Sequence, residues 1–273
     1  MRRIHEIDPH GTWVTTLGFL GTLLVLLPAA LARRQRTLVS LRKFAGPGFW
    51  LALGIALYTE GVVRGQIARV ILLFYLTPVW STLLGRAFLG QPITGRRLLT
   101  IALGLAGMLV IFGAGTGIPL PRSAGDWMGL VAGFAWAIGI VGFHRDPAEP
   151  SFDRVFVHFV FLGPVFFLVA LIPGDAVPIG FDVVWRPELL AWLSAFALVW
   201  MLPVVWLTIF GASRVDPGRL AILLMFEVIV GLATAALLTD EPLGPREIAG
   251  ALLVLAAGGS EVAAASRPWA SAR

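Results

Sequence analysis

RGQIARVILLFYLTPVWSTLLGRAFLGQPITGRRLLTIALGLA, residues 64–106, and RVDPGRLAILLMFEVIVGLATAALLTDEPLGPREIAGALLVLA, residues 214–256, are two faint copies of one pattern set 150 positions apart. Arg64, Arg69, Leu73, Pro92, Arg96, Leu103, Leu105 and Ala106 recur as Arg214, Arg219, Leu223, Pro242, Arg246, Leu253, Leu255 and Ala256. Eight identities are few, but their order carries meaning. A basic turn, an apolar run, a Pro–Arg turn and a second apolar run follow in both copies. An internal repeat in a very apolar chain marks a membrane protein built from two related halves.

Composition supports that reading. Of 273 residues, 58% are hydrophobic and 14% charged, against about 25% charged in soluble domains; mean hydropathy is +0.85. Nine apolar segments can be drawn, near 11–31, 47–63, 67–89, 97–115, 126–143, 155–173, 188–209, 219–239 and 246–265. Most approach the roughly 20 residues that cross a bilayer. Lipid cannot satisfy open backbone polar groups, so these runs predict helices, and they lack the alternation of a barrel strand. The fold class is all-α and polytopic.

Net charge is +5, almost all of it arginine. The arginines sit in the short gaps between apolar runs, which reads as membrane topology rather than nucleic-acid binding. The cluster Arg33, Arg34, Arg36, Arg42 and Lys43 follows the first span and reads as a cytoplasmic loop. Alternating sides from there puts fourteen basic residues inside and five outside. The C-terminus is then cytoplasmic, and Met1-Arg2-Arg3 falls outside, against the rule. Three spans precede the repeated pair in the second half but two in the first. The expectation is a five-plus-five plan lacking its first helix, through a late start codon or real loss. Ala-x-Ala before Arg33 offers a signal-peptide cut, but Glu6 and Asp8 spoil the basic leader. Two five-helix repeats in tandem must be inverted, and inverted repeats supply two near-equivalent packings for alternating access.

Several chemistries are excluded. There is no cysteine, and the four histidines lack metal spacing, so no metal, cofactor or catalytic residue is expected. No P-loop is present, and GAGTG at 113–117 reads as a helix-ending turn.

Glu227, mid-span in ILLMFEVIVG, is the sharpest feature. A charge at bilayer centre costs at least about 2.5–3.5 kcal/mol. Desolvation favours the neutral acid, so Glu227 is expected to couple transport to protons, or else to pack protonated between helices. The repeat maps it onto Thr77, beside Pro78, which should kink its span. Glu60 and Arg64 have helical i,i+4 spacing and read as a surface pair or an outer gate. His158, near Asp153 and Arg154, reads as interfacial or as a relay. Trp80 and Trp136 lie deep enough to line a cavity, whereas Trp13, Trp50, Trp127, Trp185 and Trp269 read as interface anchors. Gly129 with Gly133, and Gly104 with Gly107, predict close helix packing.

LFYLTPVWSTLLGR (73–86), GQPIT (90–94) and LGLAGM (103–108) resemble the first repeat of an EamA-type member of the drug/metabolite transporter superfamily. EVIVG (227–231) through DEPLGPRE (240–247) resembles the second. The resemblance implies ten helices in two inverted repeats around a central cavity. It also implies a secondary transporter in the cell's inner membrane, exporting or exchanging a small metabolite such as an amino acid or a drug-like compound. Two departures stand out: the first helix, and Gln91 where the first turn carries an acid that Glu241 keeps in the second. The expected organisation is 1–117 and 118–266 as the two repeats, then a short tail, 267–273. Expected partners are a substrate and the bilayer, with a homodimer as an option and no nucleic acid. The competing readings are a non-transporting or truncated membrane protein and an intramembrane lipid enzyme.

Overall fold

A computed structural model describes residues 12–113, 120–146, 149–171, 191–192, 194–238 and 244–265. Glu241, Trp185, Trp269, Met1–Arg3, residues 114–117 and the tail 267–273 lie outside the described residues.

All described elements are helical. In chain order they are α1 (Thr12–Ala32), α2 (Arg34–Arg64), α3 (Ile67–Phe74), α4 (Thr77–Leu89), α5 (Gly95–Phe112), α6 (Ala124–His144) and α7 (Ser151–Ala170). A π-helical stretch (Phe196–Met201) then leads into α8 (Leu202–Arg214), followed by α9 (Pro217–Leu224), α10 (Phe226–Leu238) and α11 (Pro245–Ala265). Among the described residues six spans are long and apolar enough to cross a membrane: 67–89, 95–112, 124–144, 151–169, 196–214 and 217–234. The other expected spans correspond to α1, α2 and α11, which are helical but fall below that standard in their described parts.

The basic stretch after the first span is not a loop. Arg33 alone separates α1 from α2, and Arg34, Arg36, Arg42 and Lys43 lie on the first turns of a 31-residue helix. Thr37 donates to the Ala30 carbonyl across the turn. Arg36 pairs with Asp153 at 3.6 Å and Lys43 with Asp146 and Glu149 at 3.3 and 3.0 Å. Acids on and before α7 thus hold the basic stretch in a helix that charge alone disguised as a connector.

Helix starts follow from local chemistry. Ser123 and Asp126 form a capping box on α6, Thr94 accepts from the Arg97 amide at α5, and Asp216 accepts from the Arg219 amide at α9, ahead of Pro217. Each satisfies amides that a helix start leaves open. The span 67–89 breaks at Tyr75–Leu76, where Pro78 can offer no amide to the Phe74 carbonyl. The Thr77 hydroxyl donates to that carbonyl instead, at 2.5 Å. The span 217–238 breaks at Met225. Tyr75 and Met225, one from each break, share a buried cluster with Leu72, Met108 and Val254.

Burial runs opposite to that of a water-soluble protein. Leu237 is 82% exposed and Val199 76%, while Arg154 and Asp153 are fully buried. Apolar side chains outward and ionic groups inward is the arrangement that suits acyl chains as solvent. The main core lies among α1, α2, α6, α7 and α8. A second contact joins α5 to α11, from Thr100 beside Ser260 at one end to Ile111 beside Gly250 at the other, so these helices run antiparallel.

Helix limits also recur. The pair α2 and α8 end at Arg64 and Arg214, α3 and α9 begin at Ile67 and Pro217, and α5 and α11 begin at Gly95 and Pro245.

Candidate functional site

A cavity of about 200 Å³ lies where the two broken spans meet α2, α6, α7 and α8. Leu51, Ile55 and Tyr58 come from α2, Trp136 from α6 and His158 from α7. Phe74, Tyr75 and Thr77 come from the first break, and Leu224 and Glu227 from the second. Thr208 and several aliphatic side chains of α8 complete the wall.

Glu227 stands in the first turn of α10. It is among the residues that line the cavity. Tyr75, itself buried, donates its hydroxyl to Glu227 Oε1 at 2.7 Å. A charge-assisted bond of this kind is worth about 1.5–3 kcal/mol, and it fixes the carboxylate against the first helix break. Phe74 packs on Tyr58 at 4.5 Å between ring centroids and edge-on to Trp136 at 6.0 Å, giving the cavity an aromatic side.

Close backbone approach positions that side. A Cβ on Gly54 would stand 2.9 Å from the Trp136 amide nitrogen, so α2 and α6 touch through a residue that must lack one. Gly129 and Gly133 likewise let α6 reach α3, against the backbones of Val70 and Phe74. Small residues at such crossings are what brings membrane helices together.

Ionic pairs lie away from the cavity, at the helix ends. Glu60 and Arg64 meet at 2.6 Å, and Arg69 and Asp126 at 3.0 Å, near the end of α2 and the start of α6. At the opposite ends Arg97 reaches Asp216 at 2.7 Å and Glu261 at 3.4 Å, and Arg219 reaches Glu261 at 3.2 Å. That second cluster ties α5 to α9 and α11.

Of the residues singled out in the sequence, Glu227, Thr77, Trp136 and His158 come together around the cavity. Pro78 is buried at the start of α4, outside the lining. Trp80 lies edge-on to Phe134 at 5.5 Å, also outside it. Glu60 and Arg64 form their i,i+4 pair, but Glu60 is 2% exposed, so the pair is buried rather than superficial. His158 is fully buried rather than interfacial, because the first turns of α7 pack against α2. Tyr58, Tyr75 and Thr208 escaped sequence reasoning. One signal was available: Tyr58 and Tyr75 are the only tyrosines in the chain. No group of three or more potential metal ligands occurs among the described residues.

The EamA-like transporter family model matches residues 1–113 and 123–258. A protein of Escherichia coli (strain K12), named a "Probable amino-acid metabolite efflux pump", is 28% identical over 184 residues, covering 64% of this chain and 60% of that protein. A protein of the same name from Salmonella typhimurium is 25% identical over 261 residues, covering 93% and 85%. A solved structure, described only as the crystal structure of a protein, superposes with a TM-score of 0.72 at 19% identity. That match covers 99% of this chain and 91% of the other, and it shares the fold. Broken apolar spans around an internal cavity, buried ionic groups and the match along both halves lead to one assignment: the chain is a multi-pass membrane protein that belongs to the EamA-like transporter family.

Proposed function

We propose that this protein is a secondary transporter of a small metabolite, exporting or exchanging it by alternating access, with Glu227 coupling flux to protons. The observation that carries the reading is the cavity at the two helix breaks, whose one formal charge among the described lining residues is Glu227. The relatives' printed name, amino-acid metabolite efflux pump, supports a metabolite as cargo.

The proposed plan is nine spans in an inner membrane, arranged as two inverted repeats, 1–117 and 118–266, with residues 267–273 in the cytoplasm. Recurring helix limits and the antiparallel packing of α5 on α11 support inversion. Two related bundles then exchange between packings open to one side or the other. Ion pairs at opposite helix ends, Arg69 with Asp126 and Arg97 with Asp216, join the two proposed halves and provide contacts that such an exchange would break in turn.

The test is counterflow and pH-gradient-driven uptake in proteoliposomes containing the purified chain. Active protein should carry substrate downhill without ATP and accumulate it when a proton gradient is imposed. Glu227→Gln should abolish accumulation. Normal, equally pH-dependent transport by that variant would remove Glu227 from the coupling step.

A further inference from the structure

The cavity's polar groups narrow its guest. Among the described residues no lysine or arginine lines it. His158 Nδ1 lies 3.4 Å from the Gly48 carbonyl oxygen. A carbonyl only accepts, so the ring proton belongs on Nδ1 and Nε2 presents a lone pair. That Nε2 is buried and meets no partner within the protein. The Thr77 proton is committed to the Phe74 carbonyl and the Tyr75 proton to Glu227. Three of the polar groups therefore offer acceptors and Glu227 adds a negative charge, while the donors at the wall, the Tyr58 and Thr208 hydroxyls and the Trp136 indole N–H, are all neutral.

Helix starts do not supply the missing positive end. Glu227 already occupies the first turn of α10, where the dipole favours an acid. The other start at the cavity, α4, carries Pro78, which has no amide to give. A carboxylate entering here would lose its water and find no cation, a cost of several kcal/mol. An ammonium would find the Glu227 carboxylate and the rings of Tyr58, Phe74 and Trp136, whose faces attract cations.

We infer that the site takes a small primary amine with an apolar or aromatic body, and discriminates against free α-amino acids. The volume sets the size of the body. About 200 Å³ falls short of the roughly 300–1,000 Å³ of drug-sized sites, leaving room for one ring and a short chain. The inference rests on the carrier reading above and names its substrate class.

The test is calorimetric titration of the purified full chain with phenethylamine, phenylalaninamide, phenylalanine and 2-phenylethanol, followed by counterflow with the same compounds. Phenethylamine and the amide should bind about ten- to a hundredfold more tightly than the amino acid and the alcohol, the worth of one charge-assisted contact. In Glu227→Gln the amine should fall to the level of the alcohol. Phenylalanine binding as tightly as its amide overturns the inference, as does an amine that binds no better than the alcohol to the unaltered chain. Flux of phenylalanine without flux of either amine sinks the substrate class and leaves the carrier reading standing. Amine binding with no flux of any compound does the reverse.

Discussion

Gly54→Ala in α2 and Gly259→Ala in α11 each place one methyl group in the middle of a helix, and their effects should differ. At Gly259 nothing lies within 4 Å of the added Cβ. That variant gains the helix preference of alanine over glycine, about 1 kcal/mol. At Gly54 the new Cβ would stand 2.9 Å from the Trp136 nitrogen and 3.0 Å from the Ala132 carbonyl oxygen. Both neighbours are backbone of α6 and cannot swing away, so the helices must separate. Overpacking of this kind costs about 1–3 kcal/mol. The helix gain is common to both variants and cancels, so Gly54→Ala should be less stable than Gly259→Ala by about 1–3 kcal/mol. Unfolding in mixed micelles of increasing denaturing-detergent fraction reads the difference directly. Separation at Gly54 also displaces Trp136, so counterflow should fall in that variant and hold in the other. Equal midpoints, or a more stable Gly54→Ala, would refute the close α2–α6 contact on which the aromatic wall depends.

Arg97→Ala should cost about 2–3 kcal/mol, below the ~3–5 kcal/mol of a fully buried pair because Asp216 keeps some water. The same micelle titration reads it, and a double-mutant cycle with Asp216→Asn should show clear coupling; strictly additive effects would dissolve the pair. Ser123→Ala removes the acceptor for the Asp126 amide and should cost about 0.5–2 kcal/mol, recovered by Ser123→Thr. Glu149 and Asp146 raise the Lys43 ammonium above its ordinary value of 10.5. While Asp146 and Glu149 are charged, its ion pairs therefore contribute fully below that pH and fade as pH climbs through the raised value. Stability measured against pH should show a constant gap between wild type and Lys43→Gln around neutral pH, where the partner carboxylates are charged, closing in strong alkali.

Much of the fold was legible because lipid imposes one rule on every span. Long apolar runs marked the helices, and the Pro–Arg turns marked where several begin. Glu227 and Thr77 were legible as cavity residues for the same reason: a polar group inside an apolar run stands out. What stayed hidden depended on contacts distant in sequence. Charge made 34–43 resemble a connector, and only acids on and before α7 make it a helix. The histidine at 158 follows an acid and an arginine, which by sequence marks a boundary with water. The packing of α7 on α2 buries all three instead. Tyr75 carries no mark in its own apolar run, and its role appears only when α10 brings Glu227 to its hydroxyl.

The lone carboxylate has a consequence for energetics. With one acid and no lysine or arginine among the described lining residues, a proton and a monovalent ammonium neutralise the cavity equally. On the reading proposed above, swapping one for the other moves no net charge across the bilayer. Membrane voltage, worth about 2.3 kcal/mol per charge per 100 mV, would then do no work on the cycle. Only chemical gradients, of acid and of amine, would set its direction.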